Sequence, residues 1–244
     1  MTNKKKFWIC GKHAVFEAIK NKKREITKVI VNDEFKKNEI KKINQNIKYL
    51  EVRNNKQIIR LIKNNSINHQ GYIAEIQNEN ISSNECKKLF KNFKAVIILD
   101  GVTDPRNIGS IIRTSSAFNV DAVIVNEREF KSDSIAMYKA ASGAIEKMSI
   151  ITYSNIKYAI DDLLNENFNI ISFSSNATDS IKKENFQDKN AFIFGSEEKG
   201  ISEKILKRSQ KILKIDIQNI ESLNVSNTVS AVLAIHQFSK SLGK

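Results

Sequence analysis

The stretch AVIILDGVTDPRNIGSIIRTSSAF, residues 95–118, decides the fold class of this chain of 244 residues. Its opening run, AVIILD (95–100), is almost entirely apolar, which is typical of a strand buried on both faces. Turn residues follow, and the chain's single proline, Pro105, comes directly after Asp104. An Asp-Pro pair is typical of the cap and first turn of a helix. A buried strand that leads at once into a helix is the repeating unit of a parallel α/β fold.

The same alternation of apolar strands and helices continues to the C-terminus. Strands are predicted at residues 95–100, 121–126, 146–152, 169–174, 191–195 and 211–217. Helices are predicted at about residues 105–118, 133–142, 155–167, 202–209 and 224–240. Because the strands are continuously apolar, we expect a parallel sheet covered by helices on both faces.

The first part of the chain is predicted to form a smaller α/β domain with shorter elements. Its helices are expected at residues 10–21, 35–46 and 56–64, and its strands at 26–33, 47–53 and 71–77. Residues 78–94 are polar and break this pattern. We therefore expect a small domain over 1–77, a linker over 78–94 and a large domain over 95–244.

The net charge of +13 is unevenly distributed along the sequence. Residues 1–94 hold 22 basic and 9 acidic residues, whereas residues 95–244 hold 18 of each. A genome-wide enrichment in Lys and Asn would explain the abundance of Lys, but it does not explain why the excess stops near residue 94. The pattern favours a basic domain that binds a polyanion such as RNA, joined to a neutral domain with another task.

Composition also argues against several classes of protein. Cys10 and Cys86 lie far apart, and neither they nor the three scattered histidines have the spacing of a disulfide framework or a metal site. No apolar run approaches the ~18–20 residues of a membrane span, and the N-terminus lacks the features of a signal peptide. We therefore expect a cytoplasmic protein without a metal or a membrane partner. Neither a P-loop nor a G-x-G-x-x-G fingerprint is present.

Three unusual segments follow predicted strands, where ligands bind in open α/β sheets. They are NIGSIIR (107–113), GSEEKG (195–200) and SLNVSN (222–227). Each alone has an ordinary interpretation as a capped helix, a surface turn or the start of a helix. In this order and spacing they resemble the three motifs of the SpoU (TrmH-like) family of RNA ribose 2′-O-methyltransferases, in the SPOUT class. The resemblance covers about residues 95–244.

Further segments resemble one branch of that family. DGVTDP (100–105) and ATD (177–179) look closest to the branch that methylates a guanosine of large-subunit ribosomal RNA. GKHAV (11–15) is similar to that branch's substrate-binding domain, which has an L30e-like fold. The resemblance implies S-adenosylmethionine as methyl donor, a trefoil-knotted C-terminal domain and a homodimer. It implies RNA as the partner, either large-subunit ribosomal RNA or an assembling ribosomal particle.

The resemblance also implies roles for individual residues. The expected catalytic residues are Arg113, Asn107, Glu197 and Asn224. The expected cofactor-binding residues are Gly195, Ile215, Ser222, Leu223 and Asn224. Arg113 matches an arginine that is often proposed to take the proton of the 2′-OH. Because guanidinium resists deprotonation, Arg113 could instead clamp an RNA phosphate, and its role is left open.

The third motif departs from the family pattern. It usually begins with Ile-Pro-Met and carries a Gly before Ser-Leu-Asn. In this sequence residues 215–217 are Ile-Asp-Ile, no Gly is present, and the stretch is one residue shorter. Loss of both Pro and Gly changes how the loop over residues 216–221 can turn.

Three alternatives remain at this point. The first is a transfer-RNA guanosine 2′-O-methyltransferase of the same family, which usually has short terminal extensions instead of a basic domain. The second is an RNA-binding ribosome assembly factor with an inactive site, which the altered third motif would favour. The third is a small-molecule methyltransferase, which would leave the basic N-terminal part without a task.

Overall fold

The computed structural model describes residues 6–77 and 81–242 of the chain. Within these ranges, the side chains of residues 81–86, 183 and 240–242 are not described, and that of Cys86 is among them. Cys10 is buried and its thiol is free. No helix among the described residues is long and apolar enough to cross a membrane.

Twelve strands and nine α-helices form within the described ranges. The strands are β1 (Lys6–Cys10), β2 (Ile26–Val31), β3 (Leu50–Val52), β4 (Tyr72–Gln77), β5 (Ile81–Ser82), β6 (Ala95–Asp100), β7 (Ala122–Asn126), β8 (Ser149–Tyr153), β9 (Asn169–Phe173), β10 (Asp179–Ser180), β11 (Asn190–Gly195) and β12 (Lys211–Lys214). The helices are α1 (Lys12–Lys20), α2 (Glu34–Ile43), α3 (Asn55–Ile62), α4 (Ser83–Phe90), α5 (Pro105–Ala117), α6 (Ile135–Ala141), α7 (Ile156–Asn165), α8 (Glu203–Leu206) and α9 (Val225–Leu242).

The chain divides into two compact units. Unit 1 comprises residues 1–79 and 131–147, and unit 2 comprises residues 80–130 and 148–244. The two units differ from the expected domains in two places. β5 and α4 form within the expected linker and belong to unit 2, and residues 131–147 belong to unit 1. Residues 78–80 of that linker lie outside the described residues.

Unit 1 is built on a four-stranded sheet in the order β1-β4-β2-β3. β4 runs antiparallel to both of its neighbours, and β3 runs parallel to β2. One cluster in the unit's core contains Cys10, Ile30 and Ile73 from the strands and Ile58 and Ile62 from α3.

Residues 131–147 join unit 1 through both apolar and charged contacts. Ile135 packs against the cluster under α3, and the rings of Tyr138 and Phe7 lie 5.4 Å apart. The carboxylate of Glu146 accepts from Arg24 Nε at 2.9 Å, and these side chains are only 2% and 6% exposed. A buried, hydrogen-bonded ion pair costs several kcal/mol when one partner is removed, so this segment is fixed to unit 1.

Unit 2 is built on an eight-stranded sheet in the order β10-β12-β9-β11-β6-β7-β8-β5. Every neighbouring pair in it is parallel. The first five residues of β6 and all of β9 are buried, as expected for strands covered on both faces. The prediction of an α/β fold with a parallel sheet, preceded by a smaller domain, is therefore confirmed.

Alternate residues of the unit 2 strands pack against different layers. Val96 and Ile193 lie in a core cluster that includes buried residues of α7, whereas the ring of Phe192 contacts His236 of α9 at 5.0 Å. The two sides of the sheet therefore carry separate helical layers. This arrangement leaves the carboxyl ends of the strands open for the loops that form the site.

Helix α5 begins as the sequence predicts. The Asp104 side chain accepts a hydrogen bond from the backbone N–H of Arg106 at 2.9 Å, and Pro105 occupies the first turn. Proline fits there because the first N–H groups of a helix have no partner within the helix. The cap fixes the start of α5, on which Asn107 and Arg113 lie.

Candidate active site

A cavity of about 560 Å³ lies at the carboxyl ends of the central strands of unit 2. We call it the first cavity. Its walls come from the segments after β9, β11 and β12 and from the start of α9, and they include residues 174–176, 194–201, 214–215, 217, 221–223, 225 and 228. The volume falls within the ~300–1,000 Å³ that is usual for small-molecule sites. Open α/β sheets bind their ligands at this edge.

Gly195 ends β11 in the wall of this cavity. A Cβ built on Gly195 would lie 2.1 Å from the carbonyl carbon of Gly200. The approach is this close because residues 196–200 fold back on themselves, with Gly200 N donating to the Ser196 carbonyl at 2.9 Å. Only glycine fits at position 195, which gives the predicted cofactor residue a steric reason for its identity.

A second cavity, of about 510 Å³, adjoins the first. Its walls include the loop after β6 (residues 100–104), Asn107, Glu129 and Ser202. Residues 196–200 and Val225 line both cavities and form the wall between them. The turn after β11 therefore lies between two adjacent cavities.

Three predicted site residues meet beside that shared wall. Asn107 Nδ2 donates to Glu197 Oε1 at 2.9 Å, and Asn224 Nδ2 donates to the same oxygen at 2.6 Å. Asn224 Nδ2 also lies 3.1 Å from Asn107 Oδ1. Residues 117 positions apart in the sequence are thus held by one carboxylate, and all three motif segments are joined by side-chain hydrogen bonds.

Asn224 also fixes the start of the last helix. Its Oδ1 accepts from the backbone N–H of Ser226 at 2.9 Å and from the Ser226 hydroxyl at 2.6 Å. Both ends of the Asn224 amide are therefore engaged, one with the helix and one with Glu197. The run of Ser and Asn before α9 is a capping and cross-linking segment.

The third motif begins in a loop, residues 215–224, that has no regular structure. This loop lines the first cavity through Ile215, Ser222 and Leu223. Asp216 Oδ2 accepts from the Ser180 hydroxyl at 2.6 Å, and this hydrogen bond, with Lys182 nearby, lowers the pKa of the Asp216 carboxyl. Asn219 adopts φ 68°. Asparagine tolerates this left-handed conformation better than most residues, so the loop turns without the expected Gly.

Arg113 is separate from the other predicted catalytic residues. It is exposed on α5. Within the described parts of the chain it lines neither cavity and makes no hydrogen bond or ion pair. The structure therefore brings Asn107, Glu197 and Asn224 together but leaves Arg113 outside their network.

Some residues of the two cavities were not singled out from the sequence. Ser174, Ser175 and Asn176 line the first cavity, and Glu129 and Glu198 line the second. The polar run after the strand at 169–174 was a usable signal, because it follows a buried strand at the edge where ligands bind. Glu129 gave no such signal, since only the packing of the segment after β7 brings it to the cavity.

Unit 1 carries most of the positive charge. It holds 21 basic and 10 acidic residues, a net charge of +11, whereas unit 2 holds 19 and 17, a net charge of +2. Some of these lysines are paired, such as Lys12 with Glu39 at 2.8 Å. Lys41 and Lys42, exposed at the end of α2, make no ion pair with the residues that the structure describes.

Both parts of the chain match models of known protein families. Residues 94–234 match the model of the SpoU rRNA Methylase family, and residues 8–82 match the model for RNA 2′-O ribose methyltransferase substrate binding. A protein of Staphylococcus epidermidis, named as a TrmH family tRNA/rRNA methyltransferase, is 31% identical over 92% of this chain and 92% of its own length.

Two solved structures share the fold. An AdoMet-bound rRNA methyltransferase of Sinorhizobium meliloti superposes with a TM-score of 0.74 at 16% identity, covering 96% of this chain and 87% of that one. A TrmH/SpoU tRNA modifying enzyme of A. aeolicus superposes with a TM-score of 0.57 at 19% identity, covering 66% of this chain and 85% of that one. With both family models matched in order, and a relative of this similarity over nearly the full length, the chain belongs to the SpoU rRNA methylase family of RNA methyltransferases.

Proposed function

We propose that this protein transfers a methyl group from S-adenosylmethionine to a ribose 2′-OH of RNA, at a guanosine of large-subunit (23S) ribosomal RNA. The observation that carries the proposal is the hydrogen-bonded group of Asn107, Glu197 and Asn224, which joins the three motif segments beside the first cavity. If each motif segment were only a surface turn or a helix start, hydrogen bonds would not be expected to join residues so far apart in the sequence. This arrangement supports an active enzyme over an inactive assembly factor.

The first cavity is the proposed cofactor site. Its size suits a nucleoside-containing molecule. The missing side chain at Gly195 lets the turn over residues 196–200 pack closely and bring its main chain to the cavity, which Ile215, Ser222 and Leu223 also line. S-adenosylmethionine supplies an electrophilic methyl group when bound, so the protein's main contribution is to position the acceptor hydroxyl.

The polar residues predicted for the site are proposed to have separate roles. Asn107 and Glu197 are proposed to hold the ribose, because both lie on the wall of the second cavity and the Glu197 carboxylate can accept a hydroxyl proton in a hydrogen bond. Asn224 keeps the third segment in place through its contacts to Ser226 and Glu197. Arg113 is proposed to bind an RNA phosphate bidentately and so to align the ribose.

The exposed position of Arg113 supports a homodimer as the active form. Within the described chain it reaches neither cavity, so we propose that it completes the site of a second copy. The proposal also includes a trefoil knot in unit 2 and an L30e-like fold in unit 1. In the strand order of unit 2, β11 lies between β6 and β9, and β12 lies on the other side of β9.

Ribosomal RNA is favoured over transfer RNA by unit 1. Its net charge of +11 provides a separate surface for a large polyanion, and the tRNA modifying structure matches only 66% of this chain. A transfer-RNA guanosine remains the second candidate, because the name of the Staphylococcus relative covers both RNA classes. Either substrate places the activity in the cytoplasm.

The test is methyl transfer from labelled S-adenosylmethionine to total unmodified RNA, followed by mapping of every 2′-O-methylated position. We expect a single new mark at a guanosine of large-subunit ribosomal RNA. A mark in transfer RNA would keep the chemistry and overturn the substrate. Absence of transfer together with absence of cofactor binding would overturn the proposal and favour an RNA-binding assembly factor.

A further inference from the structure

The second cavity contains four carboxylates besides Glu197, the one to which the proposed function gives a role. Five acidic residues line it: Asp100, Asp104, Glu129, Glu197 and Glu198. No group of His, Cys, Asp or Glu side chains in the described residues is arranged to hold a metal ion, so these carboxylates need another explanation. Lys199 is the basic residue in this lining, and five carboxylates outweigh its charge. The net negative charge disfavours phosphate and favours a neutral group rich in hydrogen-bond donors.

Three of the five carboxylates are already engaged. Asp100 Oδ2 accepts from Ser202 N at 2.8 Å, and Asp104 caps α5. Glu197 accepts from Asn107 and Asn224. The carboxylates of Glu129 and Glu198 make no hydrogen bond or ion pair with the described residues, which leaves these two available to a ligand.

Glu129 and Glu198 differ in their place along the cavity. Glu198 lies on the wall shared with the first cavity, where the ribose must meet the methyl group. Glu129 lines the second cavity alone. Both the base and the phosphates are attached to the ribose, and the negative lining of this cavity favours the neutral base over a phosphate. Glu129 is therefore the carboxylate placed to meet the edge of the base.

We infer that the second cavity receives the base of the target nucleotide and that Glu129 selects guanine by accepting hydrogen bonds from its N1–H and N2–H groups. Guanine presents two adjacent donors on its Watson–Crick edge, which match the two oxygens of one carboxylate. Adenine, cytosine and uracil place an acceptor beside each donor on that edge, and this acceptor would face a carboxylate oxygen. A base read in this way must first leave its stack, as in other enzymes that act on extruded or single-stranded nucleotides.

This inference rests on the proposed function, and it adds a residue that determines specificity. The test uses the full chain and a synthetic RNA that carries the mapped target position as G, A, C or U. Wild type is compared with Glu129→Gln, which keeps the shape but replaces one acceptor oxygen with a donor. Glu127→Gln is the matched control, because Glu127 lies exposed on the same turn.

We expect Glu129→Gln to lower kcat/KM for the guanosine RNA by roughly 10- to 100-fold and to shift the preference toward adenosine, whose edge a glutamine amide complements. The affinity for S-adenosylmethionine should stay unchanged, which separates lost recognition from misfolding. Glu129→Asp, one methylene shorter, serves as the second variant and should also lower activity on G.

The other possible outcomes separate failure of this inference from failure of the proposed function. Equal activity and equal base preference of the Glu129→Gln and Glu127→Gln variants would overturn this inference and leave the methyltransferase proposal intact. A wild-type mark at a base other than guanine would overturn the assignment of Glu129 but keep the chemistry. No methyl transfer by wild type to any RNA would overturn the proposed function itself.

Discussion

The two units use charge in opposite ways. Unit 1 has a net charge of +11, with exposed lysines such as Lys41 and Lys42 that make no ion pair with the described residues. Unit 2 is nearly neutral, yet it concentrates carboxylates and amides around two adjoining cavities. Diffuse charge suits a long polyanion, whereas fixed polar groups suit one nucleotide and one cofactor. We propose that unit 1 supplies affinity for RNA and unit 2 supplies the chemistry, and each part of this proposal can be tested separately.

The largest effect should come from Gly195 in unit 2. Gly195→Ala places a Cβ 2.1 Å from the Gly200 carbonyl carbon, so the turn over residues 196–200 must move. We expect cofactor affinity to fall by more than roughly 10³-fold, since a clash with backbone should exceed the about 1–3 kcal/mol of ordinary overpacking. Calorimetric titration with S-adenosylmethionine measures this loss, and circular dichroism checks that the variant folds. Unchanged affinity would remove Gly195 from the cofactor site.

Arg113 should give the next largest effect. Arg113→Ala is expected to lower methyl transfer by roughly 10²–10³-fold while cofactor affinity stays unchanged, because we propose that the guanidinium contacts RNA and not the cofactor. The exposed Arg208, paired with Asp161, provides the control variant Arg208→Ala.

Mixing two inactive variants then tests the origin of Arg113. In a homodimer that shares its arginines, Arg113→Ala and Gly195→Ala subunits mixed in equal amounts should recover about a quarter of wild-type activity, because half of the dimers contain one complete site. A mixture that stays inactive would place Arg113 in the site of its own chain.

A smaller effect is expected from the charge of unit 1. Replacing Lys41 and Lys42 by Gln should weaken RNA binding roughly threefold to tenfold at ~0.1 M salt and flatten the salt dependence by about 0.7 per lysine. The matched control replaces Lys204 and Lys207, which are exposed in unit 2. Fluorescence anisotropy over a salt series measures both. An equal loss in the two double variants would contradict the division of work between the units.

The smallest difference between the two units should be in their stability at acid pH. In unit 1, hydrogen bonds from lysines lower the pKa of Glu17, Glu39 and Glu51 below their usual 4.5. Carboxyls with lowered pKa stabilise the folded state above the unfolded pKa, and this contribution is lost as pH falls below 4.5 through the folded values. Because each such pair contributes at most about 1 kcal/mol, the expected change is modest.

Hydrogen exchange by region, followed from about pH 5 to about pH 3, measures this contrast. Unit 1 should lose protection before unit 2, and a Glu17→Gln variant should show a weaker pH dependence in unit 1. Earlier opening of unit 2 would show that other titrating groups dominate the acid response.

The sequence predicted the alternation of unit 2 because its strands carry a strong signal. Continuous apolar runs such as 95–100 and 191–195 became β6 and β11 within a residue of their expected bounds. The resemblance to the three family motifs singled out Asn107, Glu197 and Asn224, and hydrogen bonds join their side chains in the structure. Helix α4 was missed, because its sequence is mostly polar. In the structure the fully buried side chain of Phe90 anchors this helix.

Other features depend on contacts that no local pattern encodes. Residues 131–147 look like one more helix between two strands, and nothing in their spacing indicates that Glu146 pairs with Arg24. For the same reason the position of Glu129 in the second cavity could not be predicted. The φ of 68° at Asn219 shows how the third segment turns without its usual glycine, and no sequence pattern indicated this conformation.

The division of unit 1 into two stretches of sequence has a consequence for synthesis on the ribosome. An N-terminal domain ordinarily folds as soon as its residues have emerged, but this one lacks Tyr138 and Glu146 until residue 147 is made, about 70 residues after residue 79. At 5–20 residues per second the wait is roughly 3–14 s. During that time Arg24 lacks its carboxylate and Phe7 lacks its aromatic neighbour, so unit 1 of the nascent chain is incomplete. For the same reason a fragment ending at residue 77 should not behave as an independent domain, and point variants are the sounder probe of unit 1.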